Sequence, residues 1–201
     1  MQFNSEHFQR LFRRLALIPR PRDAIKAALL RARGAKIGKG TVVPYEATCT
    51  WPHQISLGEN CIIRPRVFFN YDHYWTPGPS MVFGNRVFVG RDTEFNIRCR
   101  LQVGDDCLIA SGCTFIDSDH GTEPDVPMNQ QMAVESPITL EDNVWIGAQS
   151  VILKGVHIGR GSVVGAGSVV TKSIPAGEKW AGVPAKPIHQ RSSQRHCMTT
   201  S

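Results

Sequence analysis

Hydrophobic positions in this chain follow a rhythm that is neither helical nor a plain strand alternation. From Ile37 onward an apolar residue returns every six positions: Ile37 and Val43; Leu57, Ile63 and Phe69; Phe83, Val89 and Phe95; Val103, Ile109 and Phe115. After an irregular stretch the series resumes with Leu140, Ile146, Ile152, Ile158, Val164 and Val170. Glycine often follows directly, as at Gly58, Gly84, Gly104 and Gly159, and four places after each apolar residue stands a small or β-branched one, such as Thr41, Cys61, Cys107 or Ser168. A period of six suits a short strand plus a turn, with two inward side chains per unit. Three units make a triangular coil of about 18 residues, and coils stack at roughly 4.8 Å, the ordinary inter-strand spacing. Each coil buries its large residues only against its neighbours, as solenoids do. The rhythm therefore predicts a mainly β solenoid from residue 37 onward.

Two regions fall outside the rhythm. Before it, "SEHFQRLFRRLALI" (5–18) places Phe8, Leu11, Phe12, Leu15 and Ile18 at helical spacings, with Ser5 as an N-cap. Pro19 and Pro21 end that helix, and "DAIKAALLRAR" (23–33) reads as a second. Within it, "FIDSDHGTEPDVPMNQQ" (115–131) starts as a strand, gathers Asp117, Asp119 and His120, and dissolves into turn residues. The organisation read from this is a basic helical arm over 1–36, the solenoid over 37–185 with an excursion at 121–137, and a tail over 186–201. The proline and glycine content of the excursion fits an ordered loop.

The segments "NVWIGA", "GVHIG", "GAGSVVTK" and "GVPAK" within 136–188 resemble those of the bacterial hexapeptide-repeat acetyltransferases. These include galactoside, maltose and antibiotic acetyltransferases and enzymes that O-acetylate surface polysaccharide or lipopolysaccharide sugars; the "DSDHG" context is most similar to the polysaccharide-modifying members. The resemblance implies a left-handed parallel β-helix, acetyl-CoA as donor, and a homotrimer with active sites between subunits. It implies that His120, 25 residues before Trp145, is the catalytic base. The chemistry agrees: a sugar hydroxyl is a poor nucleophile toward a thioester, and imidazole is the side chain suited to take its proton near neutral pH. An oxyanion forms during acyl transfer and needs fixed N–H donors, for which turn amides near Gly147 are candidates. Asp117 and Asp119 either orient the imidazole, as an acid does in a triad, or are merely solvated beside it.

Carried over by motif, Trp145, Gly147 and Ala148 would line the pantetheine path, Ala166, Thr171 and Lys172 would lie farther along, and Lys172 and Lys186 would meet phosphate. Many similar enzymes have arginine where Lys186 stands, which removes bidentate phosphate binding there. Asn96 is the candidate acceptor-binding residue. The expected acceptor is a sugar hydroxyl of a surface-polysaccharide precursor. The alternatives are an amino sugar, an antibiotic or another small acceptor, or a catalytically silent scaffold.

Charge alters the picture only at the N-terminus. Residues 1–36 hold nine Lys/Arg and two acids, a net of +7 against +6 for the whole chain. The basic character therefore belongs to the arm, which reads as a cap over the open first coil, as a surface meeting anionic lipid, or as both. With no aromatic platform beside the charge, nucleic acid is not an expected partner. Cys61, Cys99, Cys107 and Cys113 stand at the small inward position and read as reduced packing thiols, which favours a reducing compartment. Zinc on a solenoid needs closely spaced histidines on adjacent rungs; the histidines here lack that spacing, and no metal is expected. No apolar run approaches the ~20 residues of a membrane span, and the start of the chain reads as lacking a secretory leader. The expected placement is cytoplasmic, with peripheral attachment at the inner membrane face as a second setting.

Overall fold

Each hexad supplies one short strand and one turn, and the strands sort by their place in the repeat. A computed structural model describes residues 20–190; the helix expected over 5–18 lies outside them, as does most of the tail. Three parallel sheets form a prism. The first runs through Lys36–Ile37, Ile55–Leu57, Met81–Phe83, Leu101–Val103, Ile138–Leu140 and His157–Ile158. The second runs through Ile62–Ile63, Phe88–Val89, Leu108–Ile109, Trp145–Ile146 and Val163–Val164, and ends in the antiparallel pair Glu178–Gly182 and Ala185–Gln190. The third runs through Thr48–Cys49, Phe68–Tyr71, Glu94–Ile97, Thr114–Ile116, Val151–Ile152 and Val169–Val170. The periodic apolar residues stack in register, as Leu57, Phe83, Val103 and Leu140 do in the first sheet. Phe69, Phe95 and Phe115 make a ring stack inside the third sheet, with centroids 5.3 and 5.0 Å apart.

The corners explain the small positions. At Thr41, Cys61, Cys107, Cys113 and Ser162 the side chain donates to a carbonyl of the next coil, at Gly58, Gly84, Glu141, Gly147 and Pro175 respectively. A residue there must be small enough for the corner and still reach a turn carbonyl. The residue just before takes a positive φ, even where it is Arg66 (61°) or Arg86 (57°), a region uncommon for side chains other than Asn and Asp. Each of these arginines forms an ion pair with the aspartate at the same corner of the next coil, Arg66 with Asp92 at 2.6 Å and Arg86 with Asp106 at 2.6 Å.

Cys99 departs from the expectation. Cys61, Cys107 and Cys113 are buried, but Cys99 is only half-buried and lies outside the core cluster. Two extra residues lie between the third-sheet Phe95 and the first-sheet Val103 compared with a plain hexad, and they push Cys99 out onto the turn. Burial raises the Cys107 thiol to about 11. Native protein treated with iodoacetamide at pH 8 should therefore leave Cys107 unmodified by peptide mass spectrometry until denaturant is added. Prompt native labelling of Cys107 would contradict the packing role.

Helix α1 (Pro21–Ala32) lies over the first coil. Leu30 joins Ala35, Ile37, Val43 and Leu57 around a small apolar gap. Asp23 accepts from the Tyr45 amide at 3.0 Å and ties α1 to the first turn. The cap is thus seen in α1, while Ile25 and Leu29 on the same helix remain exposed.

What positions the functional site is where the coils are uneven. In-register partners in successive coils, Leu57, Phe83, Val103, Leu140 and Ile158, are separated by more than eighteen residues until the last step. Every extra residue falls at one corner, between the third sheet and the first. The two long insertions there are 72–80 and the excursion after Asp117. The excursion leaves through Ser118–Asp119 and returns antiparallel through Val134–Glu135, so it is a ribbon at its base. Gln131 holds its far end together, accepting from the Glu123 amide and donating to the Glu123 and Val126 carbonyls.

Candidate active site

His120 is exposed at the exit of the ribbon. It lines a cleft of about 340 Å³ together with Asn70, Asp72, Asn96, Arg98, Ile116, Ser118, Asp119 and Ala133. Strand alternation builds the opposite wall. Phe69 and Phe95 point inward and are buried, so Asn70 and Asn96, next in sequence, point outward. They are register partners, and Asn70 Nδ2 donates to Asn96 Oδ1 at 3.2 Å. Asn96, the expected acceptor residue, therefore shares a cleft with His120.

The two aspartates have separate employment. Asp117 is fully buried. Its Oδ1 accepts from the Arg98 amide, and its Oδ2 from the Cys99 and Arg100 amides, all at 2.8 Å. Burial pushes its carboxyl above the ordinary carboxylate range, against the pull of those three donors. Asp119 forms an ion pair with Lys154 of the next coil at 3.3 Å. No hydrogen bond joins either carboxylate to His120 among the described residues.

Arg98 is the functional candidate that sequence reasoning missed. Its Nε donates to Glu135 of the ribbon at 3.1 Å and its Nη1 to Asp72 of the 72–80 insertion at 3.1 Å. These carboxylates, Glu135 foremost, push the guanidinium pKa further above its ordinary value, and the arginine clamps the two insertions that wall the cleft. The available signal was the lengthened spacing from Phe95 to Val103, which marks Arg98 as a residue of an irregular corner. Lys154 was missed as well, and it stands at the same corner one coil on.

The residues expected at the donor do not converge within one chain. Trp145, Gly147, Ala148 and Ala166 lie on the second sheet and the corner that follows it; Thr171 and Lys172 lie at the corner that carries His120; Lys186 sits on the exposed terminal strand. Trp145 (52 % exposed) stands beside its register partner Leu108 (50 % exposed) in an apolar strip suited to a pantetheine arm. Gly147 is buried, and a Cβ there would come 2.5 Å from the Ala166 amide nitrogen, so glycine is required for coils to stack. Its own N–H donates to the Val164 carbonyl at 2.8 Å. The Gly147 amide itself is therefore committed to the ladder, and an oxyanion donor at this corner has to be another turn amide.

Residues 137–172 match the family described as hexapeptide repeat of succinyl-transferase. A galactoside O-acetyltransferase of Escherichia coli (strain K12) is 36% identical over 170 residues, 76% of this chain and 77% of that protein. A hexapeptide-repeat-containing acetyltransferase from Vibrio cholerae has a TM-score of 0.56 at 25% identity, covering 89% of this chain and 86% of that one. The N-acyltransferase AntD from Bacillus cereus, solved with dTDP and coenzyme A, has a TM-score of 0.70 at 23% identity, covering 82% of this chain and 89% of that one; at that identity the likeness shows the fold. The periodic coils, the cleft at their uneven corner and these relatives agree, and the chain belongs to the hexapeptide-repeat acetyltransferases and is an acyltransferase.

Proposed function

We propose that this protein moves an acetyl group from acetyl-CoA to a hydroxyl of a sugar, as part of surface-polysaccharide assembly. The observation that carries the reading is His120 exposed in a cleft whose facing wall bears the outward pair Asn70 and Asn96. His120 takes the hydroxyl proton as the acceptor oxygen bonds the acetyl carbon. The carbon–sulfur bond breaks, and the proton passes from the imidazole to the departing thiolate. The asparagines hold neighbouring sugar hydroxyls. Asp117 acts through the turn 98–100, and Asp119 through Lys154. The galactoside O-acetyltransferase relative supports an oxygen acceptor.

The coil is left-handed in this reading, and three copies stand side by side. The split of the donor residues over two corners supports the trimer: the strip at Trp145 of one copy would face the corner with His120 and Lys172 of the next. Lys172 and Lys186 meet the phosphates. Trp145→Ala is expected to raise the KM for acetyl-CoA roughly tenfold, the worth of part of a buried aromatic surface, without raising the KM for the sugar. An unchanged acetyl-CoA KM would remove Trp145 from the donor path. The protein works in the cytoplasm, and the basic arm with exposed Ile25 and Leu29 on α1 supports contact with an anionic membrane face.

The deciding experiment supplies acetyl-CoA with methyl glycosides and with amino sugars, follows free thiol, and treats the product with hydroxylamine. A labile ester on the glycosides supports the reading. A stable amide, formed only on the amino sugars, would replace it with N-acetylation.

A further inference from the structure

A second cleft of about 480 Å³ opens beside the first. Asn70, Asp72 and Arg98 line both, so the two form one trough along the uneven corner. The far end is aromatic: Trp51, Tyr71, His73 and Tyr74 line it. Trp51 meets His53 edge-on with centroids 5.8 Å apart, and Tyr74 meets His73 likewise at 5.4 Å. Tyr74 is 82 % exposed and Trp51 38 %, so both leave ring surface available to a ligand in the trough.

This end is held in shape before anything binds. Gln54 is fully buried; it donates to the Thr76 carbonyl at 2.7 Å and accepts from the Ser80 amide at 3.1 Å. The Tyr71 hydroxyl bonds Thr76 Oγ1 at 2.7 Å. A Cβ at Gly78 would come 2.5 Å from the His53 carbonyl oxygen, so the insertion 72–80 lies tight against the coil below. Order in the wall lowers the cost of binding.

We infer that the aromatic end is a subsite for a further sugar ring, so that the acceptor is a glycan of two or more units lying along the trough with its reacting hydroxyl at His120. A pyranose has an apolar face that packs on exposed aromatic rings and a rim of hydroxyls that pairs with carboxylate and amide groups. Trp51 and Tyr74 supply the faces, and Asp72 and Asn70 the rim contacts. The charge balance selects a neutral sugar over a phosphate group. The cation lining this end, Arg98, is already engaged by Asp72 and Glu135, and Asp72 would repel an anion.

The inference rests on the sugar-acceptor reading above, and its test separates the two. Calorimetry without acetyl-CoA compares defined tetrasaccharides (α-gluco, β-gluco, β-galacto and N-acetyl-β-glucosaminyl) with the matching methyl monosaccharides. At least one tetrasaccharide should bind tenfold or more tightly than its monosaccharide, and Trp51→Ala and Tyr74→Ala should each weaken it roughly tenfold. Tyr74 is exposed enough for its variant to fold, which a thermal melt checks. With acetyl-CoA present, both variants should lower kcat/KM for the tetrasaccharide far more than for the monosaccharide. If no tetrasaccharide binds better than its monosaccharide, or if both folded variants bind it as the wild type does, the subsite is overturned. A changed oligomeric state in Tyr74→Ala with unchanged glycan binding would overturn it too and make the patch a subunit contact. Glycan binding that depends on Trp51, without acetyl transfer, would keep the subsite and remove the catalytic reading.

Discussion

His120→Ala should lower kcat for acetyl transfer by about 10²–10⁴-fold, the usual worth of a positioned general base, with little change in the KM for acetyl-CoA. The expectation follows from position. His120 faces the cleft at the ribbon exit, and no hydrogen bond commits it to structure among the described residues. The side chain is exposed, so its removal leaves no cavity and no unsatisfied partner, and the variant should melt with the wild type. A loss of activity is then a loss of chemistry. Wild-type turnover by a folded His120→Ala protein on a true acceptor would move the base elsewhere. A parallel loss of acetyl-CoA binding would make the residue part of the donor site instead.

Asp117→Ala should fail differently, through stability. The carboxylate accepts from three backbone amides of 98–100 inside the coil. Alanine would leave those donors without their acceptor on the partly buried turn, and each buried group left unsatisfied costs about 1–3 kcal/mol before relaxation. A net loss of about 2–5 kcal/mol in urea unfolding is expected once relaxation and water entry are allowed for. The sign of the pH dependence follows from the raised native pKa. The native state holds this proton more firmly than the unfolded chain does. The contribution is therefore full below the unfolded Asp value of about 3.9 and declines as pH rises through the native one. The gap between wild type and variant should be wider in that acidic range than at pH 7. Equal stability of the two proteins would show that the turn 98–100 needs no carboxylate. Because Arg98 belongs to that turn, the variant should also loosen the clamp on Asp72 and Glu135 and lose activity indirectly.

These two residues show how far the sequence could be read. The spacing of Ile37, Val43, Leu57 and their successors determined the solenoid, because a six-residue unit can bury its apolar side chains only by stacking on copies of itself. The same spacing marked where the coils break, and motif likeness around Trp145 singled out His120. Asn96 was legible from its place one coil and one hexad before His120, where similar enzymes carry a sugar-binding asparagine. Asp117 was legible only as an acid near a histidine. Its partners are amides a whole coil away, and sequence distance carries no information about which donors a buried carboxylate will meet.

Other features were decided by tertiary structure alone. The lengthened spacings at Cys49–Leu57, Phe69–Phe83, Phe95–Val103 and Phe115–Leu140 look like scattered irregularities along the chain. Stacking places them at one corner, because each coil returns to the first sheet in register with the coil before. That superposition brings Asp72, Arg98 and Glu135 within hydrogen-bonding reach and joins two insertions into one trough. It also moves Cys99 out of the core and uses the Gly147 amide in the ladder. The period of six, a local property, was written in the sequence; the shared corner, a property of register between coils, had to be seen in three dimensions.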